Sequence, residues 1–172
     1  FALTVNVSSR EFMDPSFVDT MKSAYLSAGL PPERLVIEIT ESSILVNTDA
    51  TIKKLNEVRS LGVKLAVDDF GTGYSSLSYL NRFPMNILKI DRSFVEKVDD
   101  GEGGAAMAKA VISMSDTLKL TTIAEGIESY SQIETLRELG CSWGQGFYFS
   151  KPLTVDEMEK YLEECGLVGA FA

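Results

Sequence analysis

Short apolar runs alternate with amphipathic stretches along the whole chain. We predict six strands from the apolar runs, at Ala2–Val7, Leu35–Thr40, Val63–Asp68, Ile87–Asp91, Thr121–Glu125 and Ser142–Phe147. Between these runs the apolar residues recur at helical spacing, as in Met107, Val111, Met114 and Leu118. We expect the methionines of these stretches to pack into the core. Alternation of this kind predicts an α/β fold with a parallel sheet.

Residues that typically begin and end helices lie between the predicted strands. Asp14 followed by Pro15 predicts a helix start, and Ser131–Glu134 and Thr154–Glu157 have the S/T-x-x-E spacing of a capping box. Four glycines mark predicted helix ends, at Gly29, Gly62, Gly140 and Gly166. The chain is therefore predicted to fold as successive strand-helix units.

A polar side chain stands at or near the C-terminal end of every predicted strand. These residues are Asn6, Glu38, Asp68, Lys89 with Asp91, Glu125 and Gln145. In a doubly wound sheet, functional groups gather around one crevice and come from two or three strands, whereas all strands of a closed barrel contribute to one rim. We therefore predict a TIM-like (β/α) barrel. This chain supplies about six of its eight strands, and we expect the other two upstream of Phe1.

The composition is that of a folded domain with an acidic surface. The 172 residues suffice for one domain with a core. The formal net charge of −9 disfavours nucleic acids and anionic membranes, so we expect no nucleic-acid partner. Histidine is absent from the sequence, which excludes Ser-His-Asp catalysis and imidazole-ligated zinc within these residues. Cys141 and Cys165 follow no metal or disulfide pattern, as expected in a reducing compartment.

Acidic residues dominate the predicted rim. Five carboxylates and one amide would converge there: Glu38, Asp68, Asp69, Glu125, Glu128 and Asn6. Lys89 is the one counter-charge at these strand ends, so the cluster cannot stay fully ionised by itself. Mg²⁺ and Mn²⁺ prefer oxygen ligands of this kind. The adjacent aspartates suit a two-metal site for phosphodiester hydrolysis, provided that the strand ends or bulges there so that both face one rim.

Each of these signals has a plainer interpretation when it is taken alone. Two aspartates before a glycine are also an ordinary turn. The segment GTGYSS is a weak phosphate-loop signal, because it matches neither the Walker A pattern nor G-x-G-x-x-G. Lys89 could simply pair with Asp91, two residues later. Acids at the ends of so many successive strands favour the metal site over these alternatives.

Six segments resemble, in order, the successive motifs of EAL domains, a family of bacterial phosphodiesterases. They are VNVSSREF near the start, EITES (Glu38–Ser42), DDFGTGYSSLSYL (Asp68–Leu80), LKIDRSFV (Leu88–Val95), AEGIES (Ala124–Ser129) and GCSWGQGFYFSKP (Gly140–Pro152). The resemblance covers essentially the whole chain. It implies a TIM-like barrel that hydrolyses cyclic di-GMP to linear 5'-pGpG with two Mg²⁺ or Mn²⁺ ions.

The resemblance also implies a set of metal ligands. Asn6, Glu38 and Asp68 resemble the ligands of a first metal. Asp68 would bridge to a second metal, which Asp69 and Glu125 would also hold.

Further residues resemble catalytic and supporting groups of the family. Lys89 resembles a lysine that orients the attacking water, and Gln145 a polar residue near the substrate; with Glu125 they form the expected catalytic set. Glu41, Glu128 and Asp91 are expected to support the site. Glu41 in particular resembles a glutamate that anchors a movable lid loop, here Phe70, Gly71, Thr72, Gly73, Tyr74, Ser75 and Ser76.

One departure from the family pattern concerns the Glu-Ala-Leu triplet, which does not occur in these residues. We expect the chain to be the C-terminal three quarters of an EAL domain, spanning residues 1–172, without the first two strands and that motif. Weak or no catalysis by these residues alone would follow, since the first metal lacks a ligand. Two alternatives stay open: a receptor that binds cyclic di-GMP without cutting it, and a metal-independent barrel with a structural role.

The same resemblance implies partners and a location. We expect a homodimer formed through the EAL domain, and an upstream sensory or GGDEF-type cyclase domain in the same polypeptide. The domain is expected in the cytoplasm, and the parent protein is compatible with an anchor in the inner membrane.

Overall fold

The computed structural model describes residues 2–44, 48–71 and 80–165 of the chain. Its sheet has six strands, β1 (Leu3–Asn6), β2 (Leu35–Thr40), β3 (Lys64–Phe70), β4 (Ile87–Ile90), β5 (Thr121–Ala124) and β6 (Trp143–Gly144). All six predicted strands are therefore present. β3 continues two residues beyond its predicted end at Asp68, and β6 is shorter than the predicted Ser142–Phe147.

The helices follow the strands in regular alternation. They are α1 (Ser9–Met13), α2 (Phe17–Ser27), α3 (Glu41–Ile44), α4 (Thr48–Ser60), α5 (Arg92–Val95), α6 (Glu102–Thr117), α7 (Tyr130–Glu138) and α8 (Val155–Glu164), with a 3₁₀ turn at Pro32–Arg34. Within the described residues, none of them is long and apolar enough to span a lipid bilayer.

The strands are all parallel and lie in the order β1-β2-β3-β4-β5-β6. Each strand pairs with the next one in sequence, so the sheet never reverses its direction of growth as a doubly wound sheet does. Ala2, just before β1, and Gly144, in β6, line one cavity although they lie at opposite ends of the sheet. The sheet is therefore curled into the wall of a TIM-like barrel, and the predicted fold class is confirmed.

The hydrophobic core lies between the outer face of this wall and the helices. Ile37 and Ile39 of β2 and Leu65 and Val67 of β3 alternate with inward-facing residues and are almost fully buried. Leu55 of α4 belongs to the same buried cluster. Burial of an aliphatic side chain of this size stabilises a fold by about 1.5–3 kcal/mol. Packing of these residues against the helices therefore stabilises the curled sheet.

The inner face of the wall changes from apolar to charged along each strand. Near the N-terminal ends, the inward residues Thr4, Val36, Ile87 and Ile123 line one cavity. Two residues further along the same strands, on the same face, stand Asn6, Glu38, Lys89 and Glu125. Parallel pairing in register therefore gathers the polar residues at the C-terminal rim.

Two predicted helix starts are wrong. Asp14 does not cap α2; its carboxylate accepts hydrogen bonds from the backbone N–H and hydroxyl of Ser16, which closes a turn before α2 begins at Phe17. A short helix that was not predicted, α1, precedes this turn and begins with its own capping box. The capping box of α7 pairs Ser129 with Gln132 rather than Ser131 with Glu134, because glutamine fills the same role as glutamate.

The other helix boundaries agree with the predictions. Thr154 and Glu157 form the capping box of α8. Gly29, Gly62 and Gly140 follow helix ends with positive φ, and Gly166 lies outside the described residues.

The expectation for the methionines holds only in part. Met114 packs against the core, whereas Met107, on the first half of α6, is 50% exposed.

Candidate active site

Lys89 lies at the centre of a cluster of acids at the C-terminal rim. Its Nζ lies 2.7 Å from Glu38 Oε2, 3.1 Å from Asp68 Oδ1 and 2.7 Å from Glu125 Oε1. The lysine side chain is only 3% exposed. Its partners come from β2, β3 and the end of β5, so four neighbouring elements build the cluster. The plainer interpretation, in which Lys89 pairs with Asp91, is wrong.

Burial and charge act in opposite directions on this lysine. Burial alone would lower the pKa of Lys89, but hydrogen bonds to Glu125 and Glu38 outweigh it and raise the pKa above its usual value. Burial, together with the negative charge of Asp68, outweighs the lowering effect of Lys89 and raises the pKa of Glu125 from 4.5 to about 7. At neutral pH and without metal, Lys89 therefore keeps its proton, and the raised pKa makes the Glu125 carboxyl ionise less readily than an exposed glutamate.

Asp68 and Asp69 reach the same rim because β3 is irregular there. The register with β4 shifts between Val67 and Phe70, and Asp69 has a left-handed φ of +54°. Such a bulge breaks the alternation of side chains, which was the condition predicted for the two aspartates to share a rim. The pKa of Asp69 is raised, first by burial and then by the negative charges of Asp68 and Asp91.

The oxygen atoms of this rim fit divalent cations. Carboxylate oxygens of Asp68, Asp69 and Glu125 lie within 4.8 Å of one another. Together with Glu38 they outnumber the ammonium of Lys89, so the ionised cluster carries a negative excess that a cation can neutralise. Carboxylates without thiolate or imidazole are the donor set of Mg²⁺, Mn²⁺ or Ca²⁺.

Asn6, on β1, contacts the same acids from the opposite side. With its amide nitrogen turned toward the rim, it donates hydrogen bonds to Asp68 Oδ2 at 3.1 Å and to Glu38 Oε2 at 3.3 Å. The hydrogen-bond network decides this orientation of the amide. The structure therefore brings all five predicted metal ligands together at one place.

Glu41, at the start of α3, is bonded to the end of β3. Its Oε2 accepts a hydrogen bond of 2.8 Å from the backbone N–H of Gly71. The side chain is buried, and its Oε1 has no hydrogen-bond partner within the described ranges. Phe70 does not belong to the predicted lid loop, because it is the last residue of β3 and packs into the core. The loop therefore begins at Gly71, and Thr72, Gly73, Tyr74, Ser75 and Ser76 lie outside the described residues.

The two other supporting residues, Asp91 and Glu128, take part in turns on the rim. Asp91 caps α5 by accepting a hydrogen bond of 3.0 Å from the backbone N–H of Ser93. Glu128 accepts from Arg92, whose Nη2 lies 2.9 Å from Glu128 Oε1. Arg92 itself was not predicted from the sequence. Its position directly after the strand of the central lysine is the signal that could have found it.

Gln145 follows β6 at the far end of the rim. Its backbone N–H donates to Ala124 O at 2.8 Å, and its carbonyl accepts from the Ile127 N–H at 3.1 Å. It lines a cavity of about 130 Å³ together with Arg92, Glu125 and Glu128. The predicted catalytic set of Lys89, Glu125 and Gln145 therefore lies along one continuous part of the rim.

Comparison with known sequences connects this arrangement to one family. The sequence pattern of the EAL domain family matches residues 1–152. Over 160 residues the chain is 41% identical to the cyclic di-GMP phosphodiesterase NbdA of Pseudomonas aeruginosa, a match that covers 93% of this chain and 20% of NbdA. The chain therefore spans about a fifth of the length of this curated relative.

Solved structures show the same fold. The PaMucR phosphodiesterase in complex with c-di-GMP superposes with a TM-score of 0.86 and 38% identity, covering 91% of this chain and 64% of that one. Klebsiella pneumoniae BlrP1, in a complex with manganese and cyclic di-GMP, superposes with a TM-score of 0.81 and 34% identity, covering 88% of this chain and 39% of BlrP1.

Proposed function

Because this chain belongs to the EAL domain family, we propose that the protein containing it hydrolyses cyclic di-GMP to linear 5'-pGpG by a two-metal mechanism. The observation that carries the proposal is the rim itself, where the carboxylates of Glu38, Asp68 and Glu125 contact Lys89 and that of Asp69 lies within 4.8 Å of the last two. Relatives of this chain are named cyclic di-GMP phosphodiesterases, or were crystallised with that dinucleotide.

Five residues on the rim would hold the metal ions. Asn6, Glu38 and Asp68 would bind the first, with the Asn6 amide turned to present its oxygen, and Asp68, Asp69 and Glu125 would bind the second. Two Mg²⁺ or Mn²⁺ ions would neutralise charge on the attacked phosphate and make a water molecule a better nucleophile. The chain's own contribution is to fix these oxygens on strand ends, where the β-sheet restricts their movement.

Lys89 acts as a charged hydrogen-bond donor in this scheme. Without metal, its raised pKa keeps the proton on Nζ at neutral pH, so the lysine enters this scheme as a cation rather than as a base. From the centre of the cluster it can orient a water molecule and offset negative charge that develops on the phosphate. Gln145, beside Glu125, supplies a neutral donor and acceptor at the edge of the same site.

Glu41 links the site to the loop that follows it. Its hydrogen bond to the N–H of Gly71 fixes the point where the loop leaves β3, two residues after Asp69. Loops of this kind close over substrates and exclude water. We propose that this hydrogen bond anchors the start of the expected lid loop, whose residues after Gly71 lie outside the described ranges.

A receptor that binds cyclic di-GMP without cutting it is the second candidate. It stays open because no Glu-Ala-Leu triplet occurs in these residues, so a carboxylate from that motif is not among the ligands at this rim. For the same reason we expect these 172 residues alone to have weak activity or none.

Turnover and binding measurements separate the two candidates. The full-length protein is incubated with cyclic di-GMP and Mn²⁺, and the products are separated by chromatography. We expect 5'-pGpG from the wild type, and a loss of turnover of at least about 100-fold in Asp68→Asn, which has the same shape but lacks the bridging charge. Calorimetry on the same samples detects a receptor, for which cyclic di-GMP would bind tightly and remain unchanged.

Partners and location complete the proposal. We propose that the domain works in the cytoplasm as a homodimer, joined in one polypeptide to a sensory or GGDEF-type domain. The two free cysteines, Cys141 and Cys165, are compatible with a reducing compartment.

A further inference from the structure

The turn from Glu125 to Glu128 connects β5 to α7 and begins with a residue of the acidic cluster. Its first backbone N–H, that of Glu125, donates to Ile90 O of β4 at 3.1 Å. The next residue, Gly126, has a φ of +72°. The path of this turn sets the direction in which the Glu125 carboxylate points, so any contact that holds the turn also affects the cluster.

Arg92, the first residue of α5, packs its aliphatic stem directly on Gly126. A Cβ atom added to Gly126 would lie 2.4 Å from Arg92 Cγ and 2.9 Å from Arg92 Cδ, closer than real carbon atoms approach. The glycine therefore leaves the space that the arginine stem fills. This close packing fixes the middle of the turn against the end of β4.

The guanidinium of Arg92 holds the end of the same turn. Nη2 lies 2.9 Å from Glu128 Oε1, while Nε lies 2.5 Å from Oε1 of Glu96, the residue that follows α5. The pairing with Glu96 orients the guanidinium plane toward Glu128. Arg92, Glu125 and Glu128 also line one small cavity.

We propose that Arg92 is a positioning residue, which holds the Glu125–Glu128 turn so that the Glu125 carboxylate is directed at the metal site. This proposal rests on the proposed two-metal function. Arg92 acts through Glu125 and not by touching the substrate, since its Nε and Nη2 groups are engaged by the two glutamates.

Because Arg92 is exposed, a role in positioning Glu125 and a role in folding stability predict different effects when the arginine is replaced. The side chain is 53% exposed, and exposed ion pairs contribute little to folding stability. Partners that orient a metal ligand, in contrast, typically change metal affinity or activity 10- to 100-fold when they are removed. Loss of Arg92 should therefore weaken metal binding far more than it weakens the fold.

The test measures Mn²⁺ binding by the full-length protein at fixed pH. We expect Arg92→Met to raise the dissociation constant for Mn²⁺ about 10-fold, with an unfolding temperature within about 4 °C of the wild type. Turnover of cyclic di-GMP at saturating Mn²⁺ should show a lower kcat and a KM within about 3-fold, as for a residue that acts through Glu125. The matched control is Arg137→Met, which removes an exposed arginine of α7 and should change none of these quantities.

A pair of variants tests the contact with Gly126 specifically. Gly126→Ala should weaken Mn²⁺ binding strongly when Arg92 is present and less in an Arg92→Gly background, where the Cβ, Cγ and Cδ atoms that would lie within 3 Å of the new methyl group are all gone. Arg92→Lys should not restore binding, because a lysine cannot bond to Glu96 and Glu128 through a planar fork.

The possible outcomes distinguish this proposal from the proposed function. Unchanged Mn²⁺ affinity in Arg92→Met, or equal effects of Arg92→Met and Arg137→Met, would overturn the positioning role. A raised KM with unchanged Mn²⁺ affinity would also overturn it, in favour of direct substrate contact. A wild type that binds Mn²⁺ but releases no 5'-pGpG contradicts the proposed function alone, and a wild type that binds no Mn²⁺ contradicts both.

Discussion

At the scale of single residues, the rim depends on one buried cation. Lys89 contacts three carboxylates and is almost fully buried, so its removal would leave those acids without a counter-charge. Their mutual repulsion is the force that divalent cations would relieve. Both the lysine and bound metal ions would therefore reduce the electrostatic repulsion among the carboxylates of Glu38, Asp68 and Glu125.

Replacement of Lys89 tests whether its positive charge offsets the repulsion among the three carboxylates. We expect Lys89→Met to lower the free energy of unfolding in EDTA by about 3–5 kcal/mol, the usual cost of breaking a buried ion pair. Mn²⁺ should restore part of this loss. Denaturant unfolding with and without Mn²⁺ measures both effects, with Lys22→Met on the exposed side of α2 as the control. Equal losses for the two variants would contradict the account.

The raised pKa of Glu125 predicts a pH dependence of stability. Between pH 4.5 and about 7 the folded protein keeps the Glu125 proton that the unfolded chain has released. The unfolded state therefore binds fewer protons in this window, so stability falls as the pH rises through it. Metal-free protein should show this fall in unfolding experiments from pH 5 to pH 8, and Glu125→Gln should reduce the slope. A slope that is the same in both proteins would exclude this assignment.

The residues of the rim were largely predictable, but their contacts were not. Alternation along strands places Asn6, Glu38 and Glu125 on one face, and this periodicity is visible in the sequence. The partners of Lys89 depend on the register between neighbouring strands, which no local pattern contains. Arg92 was missed for a similar reason, since its contacts with Gly126 and Glu128 join two turns that are far apart in sequence.

At the scale of elements, the irregular end of β3 determines the geometry of the site. The strand continues through Asp68 and Asp69 to Phe70, and the chain then turns at Gly71 with a φ of +100°. The sequence predicted a bulge or an end at this point, because two adjacent residues cannot otherwise share a face. It could not show that Phe70 belongs to the strand, since burial of its ring depends on the helices that cover β3.

Gly71 is the position at which the end of β3 tolerates no side chain. A Cβ atom there would lie 2.5 Å from Phe94 Cε2, so Gly71→Ala should shift α5 or the start of the loop. Gly101 also has a positive φ, but a Cβ atom there would meet nothing within 4 Å. Gly101→Ala is therefore the matched control for backbone strain, which costs about 1–3 kcal/mol.

The two alanine variants are compared by their free energies of unfolding and by turnover in the full-length protein. We expect Gly71→Ala to lose more stability than Gly101→Ala and to lose turnover as well, while Gly101→Ala keeps it. Equal losses in both variants would show that the contact with Phe94 has no effect.

At the scale of the whole molecule, the described sheet has open edges. β1 and β6 each have a strand neighbour on one side only within the described ranges, and large apolar side chains on them are exposed, including Leu3, Val5 and Trp143. An unpaired edge with exposed apolar groups is a site for association. The net charge of −9 opposes association by repulsion, which salt screens.

We therefore expect these 172 residues, prepared alone, to self-associate, and we expect the association to become stronger as the salt concentration rises. Light scattering at 50 mM and 500 mM NaCl measures the change in mass. Val5→Lys on the edge of β1 should suppress association, whereas Leu26→Lys, at an even more exposed apolar position on α2, should not. Association that is equally sensitive to both substitutions would rule out the strand edge as its cause.

The claim on which the whole account depends is that the acids at the strand ends form a two-metal site. Anomalous scattering from crystals of the full-length protein soaked in Mn²⁺ tests it most directly. We predict two anomalous peaks roughly 3.5–4 Å apart, both in contact with the carboxylate of Asp68, with Asp69 and Glu125 bound to one of them. A rim without any peak, or a single peak that does not touch Asp68, would contradict the account.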